Sequence, residues 1–344
     1  MTLSVCLIVK DEEEVLERCL SCLTFADEIV VVDTGSRDDT RKIAARFTDK
    51  IYDFAWRDDF AAARNYAFSK ATKDLVMWLD ADDVIDEKER EKFVKLKEEM
   101  RDYDMAFAIY GTEELQYRRE RVFRREGGFF WEGAVHEAIA PHGRILNTDA
   151  RVRHAKVRQN PPMRNLRIYQ KIISEGGSLG ARERYYYGRE LYYNKMYTEA
   201  EGILEAFLLG DGWNENKADA CLILYRCYLA QGEKGKAVDR LTQSFAYAFP
   251  KSEACCLLGG HFMECGDIET AIYWYQTATK LPPCDRYGGF FLAEYAGIIP
   301  CLQLCVLYDR LGDRERANHW NERAGKLCPN HPSYLFNKAY FEKK

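Results

Sequence analysis

The sequence predicts an α/β domain on a parallel sheet, followed by an all-α solenoid. Three observations carry this reading. Up to Leu79, short apolar runs rich in Val and Ile alternate with charged segments of helical length. From about residue 182 the strand signals vanish, and Tyr, Leu, Ala and Gly recur at helical spacing. In that second part a Gly-x-x-x-x-Ala turn repeats along the chain. The expected organisation is a sheet domain over 1–160, a linker or helix over 161–181, and a helical domain over 182–344.

In the first part, "LSVCLIV" (3–9) reads as a strand and "EEEVLERCLSCL" as an amphipathic helix. "EIVVVD" (28–33) is a second strand, buried on both faces by its unbroken Ile-Val-Val-Val. "TGSRDDTRKIAARF" turns at Gly35 and enters a helix, with Ser36 or Asp38 available as caps. "KIYDF", "FAAARNYAFSKA" and "DLVMWL" (74–79) follow as strand, helix and strand, and "DEKEREKF" opens the next helix. Strands separated by helices of about a dozen residues pair in parallel and are covered on both faces. Ligands of such sheets sit at the carboxyl ends of the strands. Asp33 and the cluster Asp80, Asp82 and Asp83 fall at such ends.

In the second part, Gly232 with Ala237, Gly266 with Ala271, and Gly312 with Ala317 mark three turns. The first two lie 34 residues apart and the third 46 further on, which predicts an insertion near "CDRYGGFFLAEY". A weaker copy, "NKMYTEAEGILEAF", carries Ala200 in the place of Ala237. Each unit ends near a proline, namely Pro250, Pro283 and Pro329. This period, turn and closing proline resemble tetratricopeptide repeats. Stacked repeats of that kind build a solenoid whose concave face binds peptide or protein, or which joins copies into a homo-oligomer.

Composition excludes several classes. With 47% hydrophobic and 31% charged residues the chain is of ordinary globular type. A net charge of -5 supplies no basic field for nucleic acid. The locally basic stretch 151–167 reads as a linker or as a patch facing a phosphate. No run approaches eighteen apolar residues, so no membrane span is expected, and "MTLSVCLIVKDEE" reads as a strand and not as a signal peptide. The twelve cysteines are scattered. Cys19 and Cys22 match C-x-x-C formally, but without a second pair or nearby histidines. Buried free thiols, and with them a reducing cytoplasm, are the expectation.

The chemistry concentrates around "MWLDADD". Three carboxylates in four positions repel unless water, a cation or a helix N-terminus relieves them. Asp80 and Asp82 form a strand-terminal D-x-D whose hard oxygens suit Mg²⁺ or Mn²⁺, a cation that would offset the charge of a departing diphosphate. Asp33 precedes Thr34-Gly35-Ser36, where glycine permits close backbone approach and the carboxylate can bind a base or ribose. "AARNYA" sets Arg64 and Asn65 on the preceding helix, where Arg64 could steady a diphosphate or pair with the cluster. Trp131 either stacks on a sugar or packs. His154, in "RVRHAKV", is a further metal or diphosphate candidate.

"LSVCLIVKDEEEVLERCL", "EIVVVDTGSRDDT", "DDFAAARNYA" and "MWLDADD" resemble family-2 glycosyltransferases of the GT-A fold. The closer resemblance is to the branch with C-terminal tetratricopeptide repeats, which includes S-glycosyltransferases that modify bacteriocin peptides. The motif resemblance covers roughly residues 1–170. It implies a Rossmann-like nucleotide-sugar-binding sheet, a UDP-sugar donor and a peptide or protein acceptor. It also implies nucleotide contacts from Asp11, Glu12 and Asp33, and ribose and metal-diphosphate contacts from Asp80 and Asp82. His154 would be a late ligand of a divalent Mn or Mg ion. The family's usual asparagine at the end of the first strand is Asp11 here, which puts its donor role in question. "RVFRREGGFFWEGAVHEAI" (121–139) resembles the segment that completes the acceptor side, with Glu132, Gly133, His136 and Glu137 as the E-G-x-x-H-E hallmark. Inverting transfer needs a base for the acceptor proton. Glu137 is favoured over Glu132, and His136 stands as base, metal ligand or loop support.

Two rival readings exist. "WLDADDV" also fits a haloacid-dehalogenase-like phosphatase whose first aspartate is a nucleophile, but here three strand-helix units precede the motif. The chain could instead be a peptide-binding scaffold with an inactive transferase half. Against that, Asp33, Arg64, Asp80, Asp82 and Glu137 are all present. Within the transferase reading, a glycan or lipid-linked acceptor is the alternative to a peptide.

Overall fold

Leu3–Val9 (β1) is buried along nearly its whole length, as a central parallel strand must be. Glu28–Asp33 (β2) and Leu75–Leu79 (β4) pair with it in parallel on either side, and Ile51–Asp53 (β3) adds to β2 at the edge. Leu16–Ser21 (α1), Thr40–Ala44 (α2) and Phe60–Lys70 (α3) are the connecting helices. Asp59 caps α3 by accepting the Ala62 N–H at 2.8 Å. Apolar side chains fill both faces of the sheet: Val5, Leu7, Val31 and Leu79 on one, and Cys6, Val30, Val32 and Val76 on the other.

The computed structural model describes residues 1–112, 116–157, 161–282 and 292–343. Its contacts divide the chain into Met1–Leu179 and Gly180–Lys344. In the first unit the sheet continues past β4 with Asp83–Val84 (β5), Met105–Gly111 (β6), Gln116–Arg124 (β7) and Ile145–His154 (β10), separated in sequence by helix Glu87–Glu99 (α4) and a two-stranded pair, Trp131–Glu132 (β8) with Ala138–Ile139 (β9). The order across the sheet is β3-β2-β1-β4-β7-β6-β10-β5. Strand β7 runs antiparallel to both β4 and β6, so the parallel sheet expected from the sequence becomes mixed beyond β4.

Arg164–Ser174 (α5), in the segment expected as linker or helix, packs on this first unit. Tyr169 Oη donates to the Val135 carbonyl at 3.2 Å, and Lys171 pairs with Asp58 at 2.6 Å. Of the basic stretch 151–167, residues up to His154 finish β10 and those from Arg164 open α5. Residues 158–160 lie outside the described residues.

The second unit is a stack of antiparallel helix pairs: Ala181–Tyr193 (α6) with Tyr197–Leu209 (α7), Asn214–Ala230 (α8) with Lys234–Tyr247 (α9), and Ser252–Glu264 (α10) with Ile268–Ala278 (α11). After a short helix, Ala293–Ala296 (α12), the fourth pair is Ile298–Arg310 (α13) with Arg314–Leu327 (α14), and Pro332–Glu342 (α15) ends the stack. This is the tetratricopeptide-like solenoid that the repeat predicts. Each repeat glycine is a left-handed residue that ends the first helix of a pair: Gly232, Gly266 and Gly312 have φ of 81, 79 and 76°. Ala237, Ala271 and Ala317, five residues on, are each 0% exposed, because only a methyl fits between the paired helices. Most of the insertion anticipated near residue 284, with Pro283, lies outside the described residues.

In the first pair Lys195 occupies the glycine position, five residues before the buried Ala200, and is forced to φ 60°. A side chain there is strained, at a cost of roughly 1–2 kcal/mol. Lys195→Gly is therefore expected to stabilise the protein by roughly 0.5–1 kcal/mol in urea unfolding, after allowing for the freer unfolded chain. A loss of stability would contradict this account of the turn.

Candidate active site

The site grows from the carboxyl ends of adjacent strands. In register, Asp33 lies opposite Val9 and Leu79 opposite Leu7, so the residues that follow β1 and β4 and those that end β2 emerge side by side. The first corner is built by Asp11, Glu12 and Asp33. Asp11, at φ 55°, donates its N–H to Ser36 Oγ at 3.0 Å, and its carboxylate accepts the Arg37 N–H at 2.7 Å. The Glu12 N–H donates to Thr40 Oγ1 at 2.7 Å. Asp33, 3% exposed, accepts from the Ser36 N–H and hydroxyl and from Arg41 Nη1 at 3.2 Å. Gly35 turns the loop at φ 106°, a conformation that glycine adopts freely. Together these bonds bind the loops after β1 and β2 into one rigid rim.

The second corner is the acidic loop after β4. Asp80 closes a turn in which its carbonyl accepts the Asp83 N–H at 3.0 Å, while its own N–H donates to Asp83 Oδ2 at 3.0 Å. The Asp80 carboxylate faces inward to Arg64 Nη2 at 2.7 Å. Arg64 Nε binds Glu137 Oε1, also at 2.7 Å, so one guanidinium bridges the D-x-D to Glu137. The bridge is flanked by aromatic rings, with the Arg64 guanidinium carbon 4.7 Å from the Trp78 ring centroid and 4.9 Å from that of Trp131. Burial alone would raise the Asp80 carboxyl, but the charge of Arg64 outweighs it and holds the group low.

Asp82 and Asp83 point to the other side. His154 Nδ1 lies 3.5 Å from Asp82 and 3.3 Å from Asp83, and Tyr110 Oη is hydrogen-bonded to it at 2.9 Å. One ligating atom from each of Asp82, Asp83 and His154 falls within 4.8 Å of the others. This differs from the set expected from the sequence, in which Asp80 accompanied Asp82 and His154. Burial first, and then Asp80 and Asp83, push the Asp82 carboxyl up against the opposing pull of His154. The hydrogen bond to Asp83 raises His154.

Two further arginines, missed in the sequence, complete the charge pattern together with Glu120. Arg121 is 0% exposed, with Nη1 at 3.1 Å from the Trp78 carbonyl and 3.5 Å from Asp83. Arg119 donates to the Glu137 carbonyl at 3.0 Å and lies 3.4 Å from Glu120. With Arg64, both also lie over the Trp78 ring, so three guanidiniums share one indole. Against these three cations stand five carboxylates: Asp80, Asp82, Asp83, Glu120 and Glu137. The excess of two negative charges, and the mixed oxygen and imidazole donors, fit a divalent cation at Asp82, Asp83 and His154.

Other candidates are placed more simply. Trp131 is 2% exposed and packs edge-on against Trp78, so its ring serves the core and not a sugar face. Asn65 points away from Arg64 and holds the Trp131 backbone through both its N–H and its carbonyl. His136 is half-buried on a left-handed residue (φ 53°), and Glu132 is exposed. Cys19, in α1, donates its thiol to the Asp80 carbonyl; burial and the nearby acidic groups push that thiol up, so it stays protonated.

The family model described as glycosyl transferase family 2 matches residues 4–155. The first unit is a family-2 glycosyltransferase domain. Relatives agree. The chain is 37% identical over 143 residues to the TPR repeat-containing protein Synpcc7942_0270 of Synechococcus elongatus, covering 40% of this chain and 35% of that one. It is 31% identical over 144 residues to the SPbeta prophage-derived glycosyltransferase SunS of Bacillus subtilis, with 40% and 34% covered. To the lipopolysaccharide core biosynthesis glycosyltransferase LpsC of Rhizobium meliloti it is 28% identical over 164 residues, with 43% and 60% covered. The matched stretch thus spans about a third of the length of the first two relatives. Among solved structures, S. aureus TarS 1-349 in complex with UDP aligns at 14% identity and a TM-score of 0.40, over 73% of this chain and 93% of that one. In this family-2 domain Asp33 and the D-x-D loop lie at the carboxyl ends of β2 and β4, on either side of β1, and Arg64 ties the loop to Glu137. No helix of the described residues is long and apolar enough to cross a membrane.

Proposed function

We propose that this protein transfers a sugar, with inversion, from a nucleotide-sugar, in the first instance a UDP-sugar, to an acceptor. The observation that carries the reading is the Arg64 bridge, which places the acidic loop and Glu137 on opposite sides of one guanidinium. A divalent cation, Mn²⁺ ahead of Mg²⁺ given the imidazole, would be held by Asp82, Asp83 and His154 and would neutralise charge on the departing diphosphate. The rim at Asp11, Glu12 and Asp33 binds the nucleoside by hydrogen bonds. Glu137 takes the acceptor proton as the nucleophile attacks the anomeric carbon from the face opposite the leaving group, with His136 and Glu132 as the other candidates for that role. Arg64 fixes the carboxylate of Glu137 in place, and the indoles of Trp78 and Trp131 flank its guanidinium. The free cysteines among the described residues agree with a reducing cytoplasm.

A panel of nucleotide-sugars with and without Mn²⁺ tests this by thermal unfolding. One UDP-sugar is expected to raise stability by about 2.7 kcal/mol at a hundredfold excess over its Kd, only with Mn²⁺ present, and a chelator should reverse it. If no nucleotide-sugar shifts the transition, the reading fails. For the acceptor, the repeat unit supports a peptide or protein, held while its side chain is glycosylated. The LpsC likeness keeps a glycan or lipid-linked acceptor as the second reading. A peptide acceptor predicts a far higher kcat/KM than the isolated amino acid; equal values would remove the solenoid from acceptor binding.

A further inference from the structure

The loop Asp80–Ile85 carries three carboxylates whose mutual repulsion favours opening it, and both its ends rest on one short helix, α1, with its capping residue Cys22. At the first end, Cys19 Sγ–H donates to the Asp80 carbonyl at 3.4 Å. At the other, the N–H of Ile85, a residue 0% exposed, donates to Cys22 Sγ at 3.3 Å. Cys22 in turn donates its thiol to the Cys19 carbonyl at 2.9 Å. The three bonds run from Ile85 through Cys22 to the Cys19 peptide, and from the Cys19 side chain to Asp80. Both thiols are buried, at 0% and 3% exposure, and Leu16 and Leu20 of the same helix are sunk in the main core. The helix is therefore a fixed base for the loop. A thiol is the side chain that fits here, since it is large enough to fill a core position and can both donate and accept. An alanine at Cys22 would leave a buried N–H without its acceptor.

We propose that Cys19 and Cys22 are positioning residues, a thiol clasp that holds the acidic loop in the geometry in which Asp82 and Asp83 face His154. The clasp acts through the backbone of the loop and touches neither substrate nor cation. It rests on the metal-dependent reading above, and its test separates the two. In metal-free protein, Cys22→Ala is expected to speed amide hydrogen exchange at Ile85 by about tenfold or more, and Cys19→Ala to speed it around Asp80–Asp83. In the same variants Mn²⁺, titrated by its electron paramagnetic resonance signal, should bind about 10–100-fold more weakly, the range for lost supporting partners of metal ligands. Cys22→Ser, which restores an acceptor, should recover most of both values. Leu20→Ala, on the same helix and equally buried, should lower Tm while leaving Mn²⁺ affinity and Ile85 exchange at wild-type levels.

Wild-type exchange and wild-type Mn²⁺ affinity in Cys22→Ala would overturn the clasp, as would the same changes appearing in Leu20→Ala. If the unaltered protein binds no Mn²⁺, the metal reading falls, and the clasp stands or falls on exchange at Ile85 alone.

Discussion

Arg64→Ala is expected to lower the stability of the first unit by about 3–5 kcal/mol and to abolish sugar transfer. The guanidinium is 7% exposed and meets two carboxylates, the buried Glu137 and the half-buried Asp80, at 2.7 Å each. Removing it leaves two like charges facing each other across a gap lined by Trp78 and Trp131, and deprives the buried Glu137 of its guanidinium partner. The loss adds a cavity to an uncompensated pair, and either alone is a named route to large destabilisation. Arg64→Lys should retain part of the stability but not the geometry, because an ammonium is a point charge and cannot bridge two carboxylates as a planar fork does. Adding Glu137→Gln to Arg64→Ala should recover stability, giving a coupling between the two sites. Unfolding followed by tryptophan fluorescence checks this directly. A shift below about 1 kcal/mol in Arg64→Ala would mean that the bridge is not what holds the two carboxylates in place.

The parts of the fold that were legible are those in which one residue type dominates for a local reason. The strands ending at Val9, Asp33 and Leu79 are buried on both faces, so their apolar runs are unbroken and need no periodicity to be seen. The repeat turns were legible because a left-handed residue and a methyl-sized gap recur at a fixed spacing, although Lys195 hid the first glycine position. Strand β7 was not legible. "QYRRERVFR" carries five charges in nine residues, yet Glu120 and Arg121 are buried, because this strand turns charged groups toward a polar site and not toward water.

The same limit applies to the site. Its members stand out in sequence as acidic or basic residues at strand ends, but their pairing depends on contacts between residues far apart. Arg64 meets Glu137 across 73 residues, and Arg121 meets Asp83 across 38. Which carboxylates of the D-x-D segment face His154 is decided by the turn at Asp80, whose bond to the Asp83 N–H swings Asp83 to the histidine and leaves Asp80 on Arg64. A spacing of two residues in an extended segment suggests the opposite choice.

Asp82 is the position at which function and stability should separate most clearly. Its carboxyl is raised by burial and by Asp80 and Asp83. The folded state therefore binds that proton more strongly than the unfolded chain. The stabilisation so gained is present at low pH, and it is lost as pH rises through the raised value. At neutral pH the ionised Asp82 thus weighs against folding. Asp82→Asn removes that charge and keeps the shape, and the backbone carbonyl still accepts the Ala155 N–H at 3.0 Å. In chelator, then, Asp82→Asn should be as stable as the unaltered protein or more so, and the difference should vanish as pH falls toward the ordinary aspartate range. With Mn²⁺ the order should reverse, because the cation now stabilises only the unaltered protein. Transfer should fall by roughly 10³-fold or more, since a cation opposite a leaving diphosphate contributes several kcal/mol. A loss of folding in Asp82→Asn would make the residue structural, and retained turnover with retained Mn²⁺ stabilisation would remove Asp82 from the cation site.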